Sequence, residues 1–347
     1  MSNLARTRLR TRISALTAEP VAGAAWRRRP GGLTALPAFL PSLLLPLLLL
    51  VAPPAFAWNA AGHRISALIA WERLDERTKA AVAAVLRQHP DYERWQTRSK
   101  DADADRAAFL EASTWPDDIR RDRRFYTAGH APPTPTLHGF PDMERRLAWH
   151  YVDRPLHPGH KARPSPGALA RQLAALPKIL CDPESSAAER AYALPWLIHL
   201  VADAHQPLHA ASRNRAHGDD DSGGNEQRIF NPLQPKYPST NLHSYWDELP
   251  GKPWLRGKRL ASTVEVLTLL YPPTAQAGDD ATQWLEESWQ LARQAAYPGG
   301  DNAVLTISAE FQARALEITG QRLGQAGYRL AVQLQRVFSG AGRQCST

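Results

Sequence analysis

Apolar residues recur every three or four positions along most of the chain after residue 57, the spacing that places them on one face of an α-helix. Alternation of apolar and polar residues, which is typical of a half-buried strand, is scarce. Alanine, leucine, glutamine and arginine, all strong helix formers, dominate the periodic segments. The pattern predicts helices over residues 65–74, 76–87, 106–113, 166–180, 187–204, 262–271, 281–296, 303–320 and 322–338.

Prolines and glycines separate these predicted helices. Residues 125–142 and 211–240 are rich in proline, glycine and aspartate, and we expect long loops there. The chain after residue 57 has no repeat of fixed period and no linker that would divide it. The sequence therefore predicts an all-α fold, a single mainly helical domain over residues 58–347.

The first 57 residues have the features of an export signal. Arginines at 27–29 precede a stretch over 38–52 that is almost wholly apolar, and Ala-Phe-Ala at 55–57 offers small residues before Trp58. A membrane anchor is the alternative, but about 15 apolar residues with prolines among them are short for a spanning helix of about 20. We expect cleavage before Trp58, a secreted or periplasmic protein, and no membrane association afterwards.

The leader also carries most of the positive charge. The formal net charge of the whole chain is +8, and residues 1–57 hold seven arginines against one glutamate, which leaves about +2 for the rest. A generally basic surface that grips duplex DNA is therefore not expected.

Cysteine usage excludes two classes of scaffold. With two cysteines, the chain is neither disulfide-rich nor able to build a four-cysteine zinc site. In an exported protein Cys181 and Cys345 are able to form one disulfide, and two unpaired thiols are the alternative. The twelve histidines all follow residue 57.

The first candidate chemistry lies in the predicted helix over 187–204. His199 and Asp203 are four residues apart, so they project from one face of that helix. Burial of a lone aspartate in such an apolar run is costly, and a divalent cation would offset the cost. His209 follows in the turn after Pro207.

The same spacing recurs at His243 and Asp247. Either pair alone is more often a buried histidine beside a surface aspartate, but two pairs with His209 between them favour a metal site. Weaker candidates are His63, Asp117, Arg120 and His150. A surface helix cap is the alternative for Asp117, and a loop histidine is the alternative for His150.

Together these segments resemble the class I zinc-dependent single-strand nucleases of fungi, plants and bacteria, the S-one and P-one nucleases, which share the fold of bacterial zinc phospholipase C. The shared motifs run from Trp58 to Asp247 in the order W-x-x-x-G-H, W-x-D-x-x-R, W-H-Y-V-D, H-x-x-x-D-x-x-Q-P-L-H, G-G-N and N-L-H-x-x-W-D. The resemblance implies the fold of that family, with long loops around a trinuclear zinc cleft.

The resemblance also implies the ligands of three zinc ions. Those of the first would be Asp117, His150, His199 and Asp203. Those of the second would be His63, Asp203 and the α-amino and carbonyl groups of Trp58. Those of the third would be His209, His243 and Asp247. Because an amine binds zinc only as a free, deprotonated terminus, the uncleaved precursor is expected to be inactive.

The activity implied is that of an endonuclease and 3′-nucleotidase that hydrolyses single-stranded DNA and RNA to 5′-phosphate products through a zinc-bound hydroxide. Asp117, Asp203 and Arg120 would be catalytic, with Arg120 donating to the transition-state oxygens. A surface ion pair with Asp117 or Asp118 is the alternative for Arg120. The protein would act as a monomer without a stable protein partner.

Three residues would bind the substrate. Tyr151 would stack a base and Asp153 would accept hydrogen bonds from one, an arrangement that suits unpaired strands. Core packing is the alternative for Tyr151. Asn225 follows two glycines that either let the backbone approach phosphate or only form a turn.

Two other functions stay open on sequence grounds. A zinc phospholipase C would use the same metals on a lipid phosphodiester, but W-H-Y-V-D and Q-P-L-H followed by G-G-N favour the nuclease. A non-catalytic metal-binding or adhesion protein would not need the complete ligand set together with Arg120.

Overall fold

The computed structural model describes residues 58–99, 101–157, 165, 167–214, 220–273, 280–299 and 303–339. The leader over 1–57 and Cys345 lie outside these ranges, so the export signal and the disulfide stay predictions. Within the described ranges, no helix is both long enough and apolar enough to cross a lipid bilayer.

Helices dominate the described residues, and the predicted mainly helical fold is confirmed. They are α1 (Ala60–Trp71), α2 (Glu76–Leu86), α3 (Tyr92–Arg98), α4 (Ala104–Ala112), α5 (Trp115–Asp118), α6 (Leu169–Cys181), α7 (Ala187–Asp203), α8 (Leu242–Glu248), α9 (Gly257–Leu270), α10 (Ala281–Leu291) and α11 (Ala309–Phe338). Short 3₁₀ turns occupy Ile119–Arg121, Leu147–His150 and Pro207–His209, and a π-turn extends α10 over Ala292–Ala296.

A small sheet interrupts the helical pattern. Its strands are β1 (Arg228–Phe230), β2 (Ser239–Asn241) and β3 (Val304–Thr306), in the order β2-β1-β3. Strand β1 runs antiparallel to β2 and parallel to β3. The expectation of loop alone over 211–240 was therefore wrong, because three-residue strands are too short to show a clear alternation and pair with distant parts of the chain.

The end of the chain also differs from the prediction. The helices expected over 303–320 and 322–338 are one helix, α11, and the residues before it form β3. Gly320 does not end the helix. Its role is steric, since a Cβ there would stand 2.6 Å from a ring carbon of Tyr271.

Helix α7 is the centre of the core. A capping box formed by Ser186 and Glu189 starts it, and every residue from Ala191 to Asp203 is buried. Helices α1, α2, α6 and α11 pack around it. Because no face of this part of α7 reaches water, His199 and Asp203 require partners from other elements.

Helix α1, which carries His63, is held against α11 by a close backbone approach at Gly327. A Cβ on Gly327 would stand 2.5 Å from the Cβ of Ile69 and 2.8 Å from the carbonyl oxygen of Ser66. Only glycine permits this contact without displacement of one helix.

Gly327→Ala is therefore expected to lower the free energy of unfolding by about 1–3 kcal/mol, the usual cost of overpacking. Gly324→Ala is the matched control in the same helix, because the atom nearest to its Cβ would be 3.6 Å away. Alanine is the better helix former there, so the control should not destabilise. Urea unfolding followed by circular dichroism measures both variants, and equal destabilisation would contradict the steric argument.

Candidate metal centre

The histidine and aspartate side chains that the family resemblance named as ligands meet in one buried region. They come from helices α1, α5, α7 and α8 and from two 3₁₀ turns. These residues are His63, Asp117, His150, His199, Asp203, His209, His243 and Asp247, and each is at most 9% exposed. The fold thus brings together residues that are spread over most of the described chain.

Asp203 lies at the centre of the first group. Its Oδ1 is 3.5 Å from Nε2 of His63, while its Oδ2 is 3.1 Å from Nδ1 of His150 and 3.2 Å from Nε2 of His199. The two carboxylate oxygens therefore face different imidazoles. This arrangement suits an aspartate that bridges two metal ions.

Asp117 completes this group from α5. Its Oδ1 is 3.9 Å from Nε2 of His199, and its Oδ2 is 3.9 Å from Nε2 of His63. These distances are too long for hydrogen bonds, yet they suit donor atoms that share a cation.

Arg120 lies at this group and not on the open surface. Its Nη1 donates to Oδ1 of Asp117 over 3.2 Å, and the two side chains are only 13% and 11% exposed. The neighbouring Asp118 pairs with Arg98 instead. The ion pair with Asp117 is therefore present, but it places a guanidinium at the edge of the proposed metal site.

The second group contains His209, His243 and Asp247. Nε2 of His209 is 3.1 Å from Nε2 of His243, which is 3.5 Å from Oδ2 of Asp247. Gln206 is fully buried and donates from Nε2 to Oδ1 of Asp247 over 2.8 Å. The glutamine thereby fixes one carboxylate oxygen and leaves the other directed at the imidazoles.

Backbone carbonyls fix the tautomers of three of these histidines. Nδ1 of His199, His209 and His243 lies 2.8, 2.6 and 2.7 Å from a carbonyl oxygen. The carbonyl groups belong to Ser113, His150 and Gly223. A carbonyl only accepts, so Nδ1 carries the proton and the Nε2 lone pair is directed into the cluster, as in metal-binding histidines.

This arrangement fits a cation. The Nε2 lone pairs of His209 and His243 face each other at 3.1 Å and would repel without one. Oδ1 of Asp203 and Oδ2 of Asp247 are buried and accept no hydrogen bond from the described residues. Three combinations of these side chains have donor atoms close enough to hold a metal ion, and imidazole with carboxylate is a donor set that zinc prefers.

Burial controls the protonation of the cluster. It lowers the pKa of His63, His150 and His209 well below the ordinary value, and neighbouring imidazoles add to the effect. Burial raises the pKa of Asp203 to about 6 and that of Asp247 well above its ordinary value. His63, His150 and His209 are therefore neutral at neutral pH, which is the metal-binding form of imidazole.

The N-terminal segment reaches the same region. Trp58 is fully buried, and its backbone lies beside His63. The backbone N–H of Asn59 donates to the carbonyl of Asp247 over 3.0 Å. Gly62 is required here, because a Cβ on it would stand 2.7 Å from the Cβ of Trp58.

Two of the residues expected to bind substrate, Tyr151 and Asp153, closely follow His150 of the cluster in the chain. Tyr151 is half-buried and is not part of the hydrophobic core, so the core-packing alternative is not supported. Asp153 is also half-buried, its Oδ2 accepts from Oγ of Ser165 over 3.2 Å, and burial raises its pKa to about 6.

The Gly-Gly-Asn segment forms a turn. Ser222, Gly223 and Gly224 all have positive φ, and the amide of Asn225 donates to the carbonyl of Ser222 over 2.7 Å. The role of Asn225 in substrate binding stays a prediction. The turn has a function at the site, because it directs the carbonyl of Gly223 onto His243.

Sequence reasoning missed Gln206, and the neighbouring His205 was not among the predicted site residues. His205 is fully buried, with Nδ1 at 2.7 Å from the carbonyl of Val201 and Nε2 accepting from Arg329 over 2.9 Å. Arg322 donates to the carbonyl of His205. The histidine therefore ties the end of α7 to α11, and the Q-P-L-H motif was the available signal for Gln206.

Comparison with known proteins places this geometry in a family. The profile of the S1/P1 nuclease family matches residues 58–339. Endonuclease 4 of Arabidopsis thaliana is 28% identical over 308 residues, which cover 82% of this chain and 90% of the plant protein. Endonuclease 2 of the same plant is 26% identical over 315 residues, or 84% and 94% of the two chains. The chain therefore belongs to the S1/P1 nuclease family and is a hydrolase that acts on the phosphodiester bonds of nucleic acid.

Proposed function

We propose that the protein is an exported, zinc-dependent endonuclease and 3′-nucleotidase that cuts single-stranded DNA and RNA and leaves 5′-phosphates. The observation that carries the proposal is the cluster of buried imidazoles and carboxylates whose lone pairs converge. Since the cluster draws all its residues from one chain, we further propose that the protein acts as a monomer.

The donor set would hold three zinc ions. Asp117, His150, His199 and Asp203 would hold one. His63, Asp203 and the terminal amine and carbonyl of Trp58 would hold the second. His209, His243 and Asp247 would hold the third. When bound, zinc would supply positive charge that attracts a phosphodiester and would acidify water so that hydroxide is available near neutral pH.

The chain's own residues orient the substrate. Arg120 would donate two parallel hydrogen bonds to phosphate oxygens, as a guanidinium does with planar or tetrahedral oxyanions. Asp117 holds it in place beforehand through the 3.2 Å contact. Gln206 keeps Asp247 turned toward the imidazoles.

The preference for single strands follows from Tyr151 and Asp153. A half-buried tyrosine beside the cluster would stack an unpaired base, and a paired base cannot leave its duplex to reach such a position without cost. Asp153, ionised above pH of about 6, would accept hydrogen bonds from an exocyclic amino group of the base.

Zinc removal and substrate choice test the whole proposal. We expect a chelator to abolish hydrolysis of denatured DNA and zinc to restore it, with three zinc ions per chain in the processed protein. Single-stranded DNA and RNA should be cut faster than duplex DNA. Fewer than two tightly bound zinc ions, or faster release of phosphocholine from lecithin than of nucleotides from DNA, would contradict it.

Arg120→Ala is expected to lower kcat about 10²- to 10³-fold, the usual loss when a donor to transition-state charge is removed. The zinc content should not change, which separates this effect from loss of metal. Arg121→Ala is the control on the same turn, because Arg121 is exposed and should leave kcat within about twofold of the parent. Steady-state kinetics on denatured DNA measure kcat for both variants. Equal losses of kcat in the two variants would exclude the proposed catalytic role of Arg120.

Retention of residues before Trp58 tests the proposed export and processing. A protein with a specific protease site immediately before Trp58 should bind one zinc ion fewer and be inactive before cleavage, because no free amine is available. Cleavage should restore both the metal and the activity. Full zinc content and full activity in the uncleaved protein would rule out the terminal amine as a ligand.

A further inference from the structure

The segment between α8 and α9 presents an exposed indole. We call residues 250–256 the Trp254 loop. Trp254 is 68% exposed, the largest fraction among the large apolar side chains of the described residues. Exposure of so large an apolar side chain to water is unfavourable, and a ligand that covers it would remove this cost.

The loop around this indole is fixed on its inner side. The N–H of Leu255 donates to the carbonyl of Lys252 over 2.9 Å and closes a turn with Pro253 at its second position. The guanidinium of Arg64 donates to the carbonyl of Pro253 over 2.7 Å. The side chain of Leu255 packs against the core.

Further contacts fix both ends of the loop. The amide of Asn59 donates to the carbonyl of Gly251 over 2.7 Å. At the other end, Arg256 makes two hydrogen bonds, of 2.7 and 2.9 Å, to the buried carboxylate of Glu111. A surface that is already ordered loses little conformational entropy when a ligand binds. The loop is therefore preorganised while its indole is free to make contacts.

These contacts also place the loop next to the metal-ligand cluster. Of the two residues that hold it, Asn59 lies within the segment from Trp58 to His63 and Arg64 directly follows that segment. Pro250 lies 3.0 Å from the position that a Cβ on Gly62 would take, and that same Cβ would touch Trp58. The loop therefore lies against the segment that carries Trp58 and His63.

The exposed charges that neighbour the indole along the chain are mostly positive; the exception is Glu248, which is close enough to Lys252 to interact with it electrostatically. Lys252 precedes the indole in the loop, and Lys258 and Arg259 follow it at the start of α9, all three exposed. Cations are unfavourable in the first turn of a helix, so this placement does not serve the stability of α9. The buried Glu111 nearby is already neutralised by Arg64 and Arg256.

We propose that the Trp254 loop is an outer subsite for single-stranded nucleic acid, on which one base stacks on the indole while the flanking cations contact its phosphates. An exposed aromatic among cations is the combination by which proteins bind unpaired strands without sequence preference. A bilayer would require a broader apolar face, and the exposed neighbours of Trp254 are instead Lys252, Pro253 and Lys258. The subsite rests on the proposed nuclease function and extends it to substrates longer than one nucleotide.

The test compares Trp254→Ala, Trp254→Phe and a control, Leu269→Ala, which removes an apolar side chain 53% exposed on α9. Fluorescence anisotropy of the zinc-loaded protein with a labelled, phosphorothioate-linked oligothymidylate measures binding. We expect Trp254→Ala to weaken binding at least about fivefold, the loss of one base stack. Trp254→Phe should retain most of the affinity, and Leu269→Ala should bind like the parent.

Kinetic measurements and vesicle binding distinguish failure of the proposed subsite from failure of the proposed function. For Trp254→Ala, KM for oligonucleotide hydrolysis should rise with kcat unchanged, and hydrolysis of a 3′-mononucleotide should stay at the parent rate. Unchanged oligonucleotide binding by Trp254→Ala would overturn the subsite, as would loss of binding to phosphatidylglycerol vesicles without loss of oligonucleotide binding. A parent protein that binds the oligonucleotide through Trp254 but hydrolyses no nucleotide would support the subsite and refute the proposed function.

Discussion

Burial of ionisable groups in an apolar helix is the constraint on which the structure depends. In α7, His199 and Asp203 are fully buried in a stretch whose every residue is inaccessible to water. An aspartate in such a place is stable only if hydrogen bonds, cations or protonation compensate for the lost hydration. The fold supplies imidazoles and two further carboxylates from five other segments, and their lone pairs converge in an arrangement that fits a cation.

The orientation of the histidine rings is the second feature of the site, and hydrogen bonds to the backbone fix most of it. Carbonyl groups at three positions hold the rings of His199, His209 and His243, so that the same nitrogen of each faces inward. The turn at residues 223–224 positions one of these carbonyls, that of Gly223. A site built in this way needs little rearrangement when a cation binds, which is the condition for precise catalytic geometry.

Attraction of nucleic acid depends on local and not on overall charge. Residues 58–347 carry about +2 in total, too little for a general basic surface. Positive charge is instead local, at Arg120 beside Asp117 and at Lys252, Lys258 and Arg259 in and after the Trp254 loop. An enzyme of this kind would attract phosphates to the cleft without strong adhesion to duplex DNA.

The sequence by itself determined that the fold is mainly helical. It also determined the His-x-x-x-Asp pairs and the order of the motifs that place the chain in its family. Such features are local, because helix periodicity and four-residue spacing act within one or two turns. Even so, the pattern predicted two helices that meet at Gly320, where the structure has the single helix α11. The sequence does not distinguish a glycine that leaves space for the ring of Tyr271 from a glycine that ends a helix.

Only the tertiary structure decided which atoms meet. That Asp203 turns one oxygen to His63 and the other to His150 and His199 depends on helices that are distant in the chain. The same holds for Gln206, whose amide reaches a carboxylate 41 residues away, and for the three short strands. Contacts of this kind arise from packing between elements that are distant in the chain. Such packing produces no periodic pattern in the sequence, so the contacts could not be predicted from it.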